Sequence, residues 1–163
     1  MTNSNPRARI LIDALQLQPH PEGGYYREIF RSGHLVHVDG KRSRSALTSI
    51  YFLLEAGQQS RWHRVLSDEV WSHLEGDVLE LFSFDMDSGS PASSRLGPYA
   101  PETESTRIIP AGIWQAARPL GAYTLVTCSV GPGFEFSDFS MAADLSDVSE
   151  SIRAHGEPFA KLI

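Results

Sequence analysis

The hydrophobic period of this chain changes once, near residue 25, and that change restricts the fold more than any other feature. Before it, Ile10, Leu11, Ala14, Leu15 and Leu17 recur at helical spacing after Pro6, until Pro19 and Pro21 end the pattern. This predicts a short amphipathic N-terminal helix. After it the period is two, and residues 26–30, 46–54, 78–84, 123–130 and 134–136 are predicted strands. Glycines and prolines break these runs at short, irregular intervals, as in Gly23-Gly24, Gly76-Asp77, Gly97-Pro98 and Gly131-Pro132-Gly133. Frequent turns between short strands predict a mainly all-β sandwich or barrel. The segment 142–154 is polar, acidic and weakly periodic, and is read as a C-terminal helix or an irregular segment packed on the outside. Residues 85–104 hold two Ser pairs, three prolines and two glycines, and form the longest candidate loop, a cover for the barrel mouth.

At 163 residues the length suits one domain, 1–163, with no repeat or linker. A net charge of -6, from 14 Lys+Arg against 20 Asp+Glu, argues against a phosphate backbone as partner. The longest apolar run, 50–54, is too short for a membrane-spanning helix. Met1 opens no charged, apolar and cleavable leader, and Cys128 has no second cysteine to pair with. The expected location is therefore the cytoplasm.

The most chemically loaded stretch is 57–76. With a tight turn around Leu66 to Asp68, alternation places Arg61, His63, Val65, Glu69, Trp71 and His73 on one face, and Trp62, Val70 and Leu74 on the other. Two imidazoles, a carboxylate and an indole then share a surface. A second stretch, Ile108-Ile109-Pro110-Ala111-Gly112-Ile113-Trp114-Gln115, is a strand followed by a Pro-x-Gly turn that can return Gln115 toward the same interior.

These stretches resemble the cupin superfamily. Gly57, His63, Glu69 and Gly76 occupy places of the first cupin motif, with Val65 where a second His is usual. In the second motif Pro110 and Gly112 are present, Gln115 stands for the metal-binding His, and Pro119 stands for the usual Asn. The chain is more closely similar to uncharacterised cupins regarded as sugar epimerases. They share the Pro-His-Pro-Glu-Gly-Gly-Tyr-Tyr-Arg-Glu run at 19–28, His63-Arg64-Val65 with Asp68-Glu69-x-Trp71, Pro110-Ala111-Gly112-x-Trp114-Gln115, and the Gly131-Pro132-Gly133-Phe134 segment through Phe139. The resemblance implies a jelly-roll β-sandwich or barrel, a homodimer and one internal pocket.

Three functional readings follow. In the first, His63, Glu69 and Gln115 hold a divalent transition metal, as in a metal-dependent oxygenase, with His73 as a further donor. An amide and a missing His make this a weak donor set. In the second, a sugar or nucleotide-sugar is epimerised or isomerised by acid/base chemistry without metal. His63 is then the base, Glu69 orients it, and His73, Tyr51 or Tyr123 is the acid. In the third, Trp71, Phe82 and Trp114 wall a non-catalytic sensor or storage pocket in which His63, Glu69, Gln115 and Arg61 supply polar contacts. Against all three stands a His–Glu pair that merely satisfies itself in the core. Pro21-Glu22-Gly23-Gly24 is read as a turn from which Glu22 and Arg27 can reach a pocket rim only if the arm folds over it. Cys128 is read as core filler, and His20, His34, His37 and His155 as solvated.

Overall fold

The structure, a computed structural model, describes residues 5–38, 40 and 42–163. Helix α1 spans Pro6–Ala14. Asn5 caps it, its side-chain oxygen accepting from the backbone N–H groups of Arg7 and Ala8. Pro6 at the first helical position costs no hydrogen bond there. Strands β1 (Gln18–Pro19), β2 (Tyr25–Arg31), β3 (Leu35–Val38), β4 (Arg42–Ser45), β5 (Thr48–Glu55) and β6 (Ser60–Arg64) follow. Next come β7 (Asp68–Gly76), β8 (Leu79–Asp85), β9 (Ser90–Leu96), β10 (Thr106–Ile109), β11 (Trp114–Pro119), β12 (Tyr123–Gly131) and β13 (Ser140–Met141). Helix α2 spans Ser146–Arg153. No helix among the described residues is long and apolar enough to cross a membrane.

The strands form two facing antiparallel sheets, in the orders β1-β2-β5-β12-β7-β10 and β13-β6-β11-β8-β9, with β3-β4 as a separate hairpin. From β5 to β8, and again from β9 to β13, each strand lies in the sheet opposite its predecessor. That is the winding of a jelly roll.

Phe52, Leu54, Trp71, Leu79, Leu81, Val126 and Cys128 pack between the sheets. The outer faces are also apolar, because each is roofed by a helix. Ala8, Leu11 and Leu17 cover Leu53 and Leu125, with Tyr51 and Tyr123 at the margin. Val148, Ile152 and Leu162 cover Trp62, Phe82, Phe84 and Trp114. The central strands therefore read as continuous apolar runs, and alternation alone does not reveal which side faces the interior.

Two expectations are corrected. Residues 134–136 form no strand; the chain enters a 3-10 turn at Phe136–Asp138, where Phe139 N–H bonds back to Phe136. The expected cover at 85–104 is largely β9, which pairs with β8 from Leu79↔Leu96 to Asp85↔Ser90 as the last strand of its sheet. Its Ser-rich sequence reflects a half-exposed edge, where small polar side chains face water.

Candidate functional site

One end of the jelly roll holds a cavity of about 340 Å³, bounded by β2, β5, β7 and β12, the N-terminal arm and the segment after Gly133. Ligand sites run from about 300 to 1,000 Å³, so this is a site for a compact molecule. Its walls are Tyr26, Ile50, Phe52, Phe134, Phe136 and Phe139, and its polar groups include His20, Glu22, His63 and Glu69.

Glu22 reaches the interior because the arm turns sharply behind it. His20 N–H donates to Gly24 O and Gly23 N–H to His20 O, both at 3.0 Å. Gly23 and Gly24 have φ of +115° and +70°, and a Cβ on Gly23 would lie 2.1 Å from the Gln59 carbonyl oxygen. Only glycine fits that approach. Arg61 then fastens the arm, its backbone N–H donating to Glu22 O at 2.9 Å and its Nη2 to Pro21 O at 2.6 Å. Arg61, expected to touch a ligand, instead holds the arm that delivers Glu22.

His63 Nδ1 lies 2.7 Å from the Arg61 carbonyl, which can only accept, so Nδ1 carries the proton. Nε2 faces the Glu22 carboxyl at 3.2 Å, and Ser60 Oγ donates to the other Glu22 oxygen at 2.8 Å. His20 Nδ1 lies 3.4 Å from the Glu22 oxygen that faces His63 and accepts from the Glu22 backbone N–H. Burial pushes Glu22 up to about 8, opposed by the Ser60 hydroxyl and Arg61. Burial likewise lowers His63, with Glu69 and the Arg61 carbonyl opposing, and it lowers His20 to about 3, helped by the nearby His63. The pair is therefore neutral: Glu22 holds the proton and donates it to a neutral His63.

Glu69 sits nearby on β7. Burial raises it to about 7; His63 and the Gln115 amide hold it down, and Glu22 pushes it further up. Gln115 Nε2 donates to Glu69 at 2.6 Å, while Gln115 Oε1 accepts from Trp71 Nε1 at 2.9 Å. Cys128 lines the cavity beside Glu69, and burial raises its thiol well above its ordinary value.

The sequence-derived face is partly realised. His63, Val65 and Glu69 line the cavity. Trp71 lies in the core and fixes Gln115 rather than meeting a ligand. His73 points to the same side but farther along β7, where Nε2 reaches the Gly76 carbonyl at 3.2 Å, outside the cavity. Tyr51 alternates with Ile50 and Phe52 and so faces α1, and Phe82 and Trp114 face α2. Tyr123 bonds Glu75 at 2.8 Å, away from the site. None of these four belongs to the lining. His20 and Glu22, read as solvated and as a turn residue, belong to the polar cluster. Their signal was the Pro-Glu-Gly-Gly run, whose two adjacent glycines mark a backbone pressed against something.

The suggested metal ligands do not fit a metal. Both ends of the Gln115 amide are spent on Glu69 and Trp71, and His63 Nε2 faces Glu22. Among the described residues no three His, Cys, Asp or Glu side chains converge as a metal-holding group.

The family model described as Cupin superfamily (DUF985) matches residues 9–142. A hypothetical protein from Leishmania major is 31% identical over 98% of this chain and 97% of its own, with a TM-score of 0.77. A protein from Shewanella oneidensis is 31% identical over 95% of this chain and 96% of its own, with a TM-score of 0.81. An oxalate decarboxylase of Bacillus subtilis shares the fold at 17% identity and a TM-score of 0.57, over 84% of this chain and 33% of its own. No curated protein matches the chain.

Proposed function

Because the chain belongs to the cupin superfamily, in the family DUF985, we propose that its cavity binds a compact carbonyl compound and moves a proton on it. The observation that carries this reading is the pair of buried carboxyls, Glu22 and Glu69, facing one cavity, with no Lys or Arg ion pair to either among the described residues. Both hold or release a proton near neutrality, the range in which general acid/base catalysis is most effective.

The assignment follows from the difference between them. Glu22, at about 8, is protonated at neutral pH; a bound carbonyl oxygen replaces His63 Nε2 as the acceptor of its one proton, and Glu22 acts as the acid toward it. Glu69, at about 7, is partly ionised and acts as the base toward the neighbouring C–H. The C–H bond breaks, its proton goes to Glu69, and the Glu22 proton goes to oxygen, leaving an enol. Glu69 returns a proton to carbon while the enol O–H gives its proton back to Glu22, which restores the carbonyl and both carboxyls and completes an isomerisation or exchange. His63 acts as a positioning residue: its Arg61-fixed tautomer presents Nε2 to Glu22 and holds the acid in place. The narrower form of this reading is a sugar or nucleotide-sugar epimerase or isomerase. In it the sugar fills the cavity and a nucleotide lies outside.

The test is proton exchange in heavy water, read by NMR on the carbon next to the carbonyl of keto-sugars and short oxo acids. Glu69→Gln and Glu22→Gln are expected to lower the rate by about 10²- to 10⁴-fold, the usual worth of a positioned acid or base. A protein whose exchange is unchanged by Glu69→Gln is no such catalyst. A second reading, a binding pocket without turnover, is favoured by the Trp71-Gln115-Glu69 chain, which satisfies Glu69 internally. Ligand retention without exchange would establish it.

A further inference from the structure

Arg27 stands at the cavity mouth on β2 and is held from one side only. Its Nη1 donates to the Leu15 carbonyl at 2.9 Å and lies 3.4 Å from Gln16 Oε1. Gln16, itself a lining residue, has φ of +55° because it ends α1, with its N–H bonded to the Asp13 carbonyl and the Leu17 N–H to the Ile12 carbonyl, so the helix terminus fixes where this brace stands.

The other edge of that guanidinium, Nε with Nη2, meets no protein acceptor among the described residues. That edge is the one this protein uses elsewhere to grip carboxylates. Arg31 Nε and Nη2 take the two oxygens of Glu28 at 3.0 and 2.9 Å, and Arg7 Nε and Nη2 take those of Glu75 at 2.7 and 2.9 Å. Arg31, the neighbouring arginine of the mouth, is fully engaged, because Glu135 and the Phe134 carbonyl hold it as well. Arg27 is thus an exposed fork, braced through Nη1 alone, at the entrance of a cavity walled mainly by aromatic rings.

We infer that the ligand of this cavity carries an oxyanion, a carboxylate or a phosphate, which the Nε and Nη2 edge of Arg27 grips at the mouth while the carbonyl end meets Glu22 and Glu69. The inference rests on the proposed function for the inner end of the ligand and adds the chemical class of its outer end. The body between the two is short and apolar, because the cavity measures about 340 Å³ and its walls are mainly aromatic and aliphatic side chains.

Phenylpyruvate, with an anion, a carbonyl and an aromatic body, is the probe, and its methyl ester is the uncharged control. Calorimetric titration into the full chain is expected to show the acid binding about tenfold or more tightly than the ester, as an ionic hydrogen-bond pair provides. Arg27→Gln should erase that preference, and Arg95→Gln, on a remote exposed ion pair, should preserve it. Competition with inorganic phosphate separates the two oxyanions: displacement at lower concentration than acetate assigns a phosphate, and the reverse order a carboxylate. Equal binding of acid and ester, a preference that survives Arg27→Gln, or no binding of either probe overturns the inference. Equal binding with deuterium exchange intact sinks the oxyanion alone. An Arg27-dependent preference without Glu69-dependent exchange sinks the proton-transfer reading instead.

Discussion

At the scale of single residues the buried titratable groups set the pH response of the protein. Glu22 and Glu69 have folded values of about 8 and about 7, above the ordinary 4.5. Their contribution is complete below pH 4.5 and is lost as pH rises through the folded values. His20, lowered from 6.5 to about 3, has the opposite sign: its contribution is present above 6.5 and is lost as pH falls toward 3. Above pH 6.5 only the carboxyl effect operates. Chemical denaturation is therefore expected to show stability falling from pH 6.5 to 8, with Glu22→Gln flattening the slope. A slope unchanged in that variant would assign the effect elsewhere. Gln115→Leu removes the partner of both Glu69 and Trp71 Nε1, two buried groups. The expected loss is about 1–3 kcal/mol for each group left unpaired, measured by the same titration.

At the scale of elements, the segment 133–139 closes the site, because it carries Phe134, Phe136 and Phe139 over the cavity. It is tied down by arginines from β2 and the β3-β4 hairpin. Arg31 holds Phe134 and Glu135, and Arg44 holds the Gly133 carbonyl and Asp138, the latter at 2.6 Å. Arg42 takes the other Asp138 oxygen at 3.0 Å. Asp138 and Arg44 are both buried, so Asp138→Asn leaves a desolvated guanidinium short of its charge partner. The expected cost is about 3–5 kcal/mol. Hydrogen exchange should rise most in 133–139, and water admitted to the cavity should bring the Glu22 carboxyl down from about 8 toward its ordinary value, read by carbon NMR. An unchanged Glu22 titration in the opened variant would show that the aromatic segment does not keep the cavity dry. Helix α2 is a separate element with a separate role: Ile152→Ala, beneath which lie Trp62 and Trp114, should cost about 2–5 kcal/mol with no change in probe binding.

At the scale of the whole molecule, the homodimer implied by the family resemblance is a proposal, and light scattering tests it: a monomeric mass would remove it. The sequence by itself determined the N-terminal helix and the strands around 26–30, 46–54, 78–84 and 123–130, since helix spacing, period-two runs and glycine breaks are local patterns, but not the β3-β4 hairpin or the Ser-rich edge strand β9. α1 falls over Pro6–Ala14 and α2 inside the anticipated C-terminal stretch for that reason. It also placed His63, Val65 and Glu69 on one cavity face, because they sit on or beside two strands whose alternation is clean. The tertiary structure decided what local pattern carries no information about. Tyr51, Phe82 and Trp114 are as apolar as Phe52 and Trp71, yet they face outward beneath helices; burial on both sides of a sheet erases the contrast by which inside is recognised. Glu22 and His20 enter the site through a turn whose partners, Arg61, Gln59 and Ser60, lie some forty residues away. Their altered protonation arises from desolvation by the whole fold, a property that no sequence neighbour supplies.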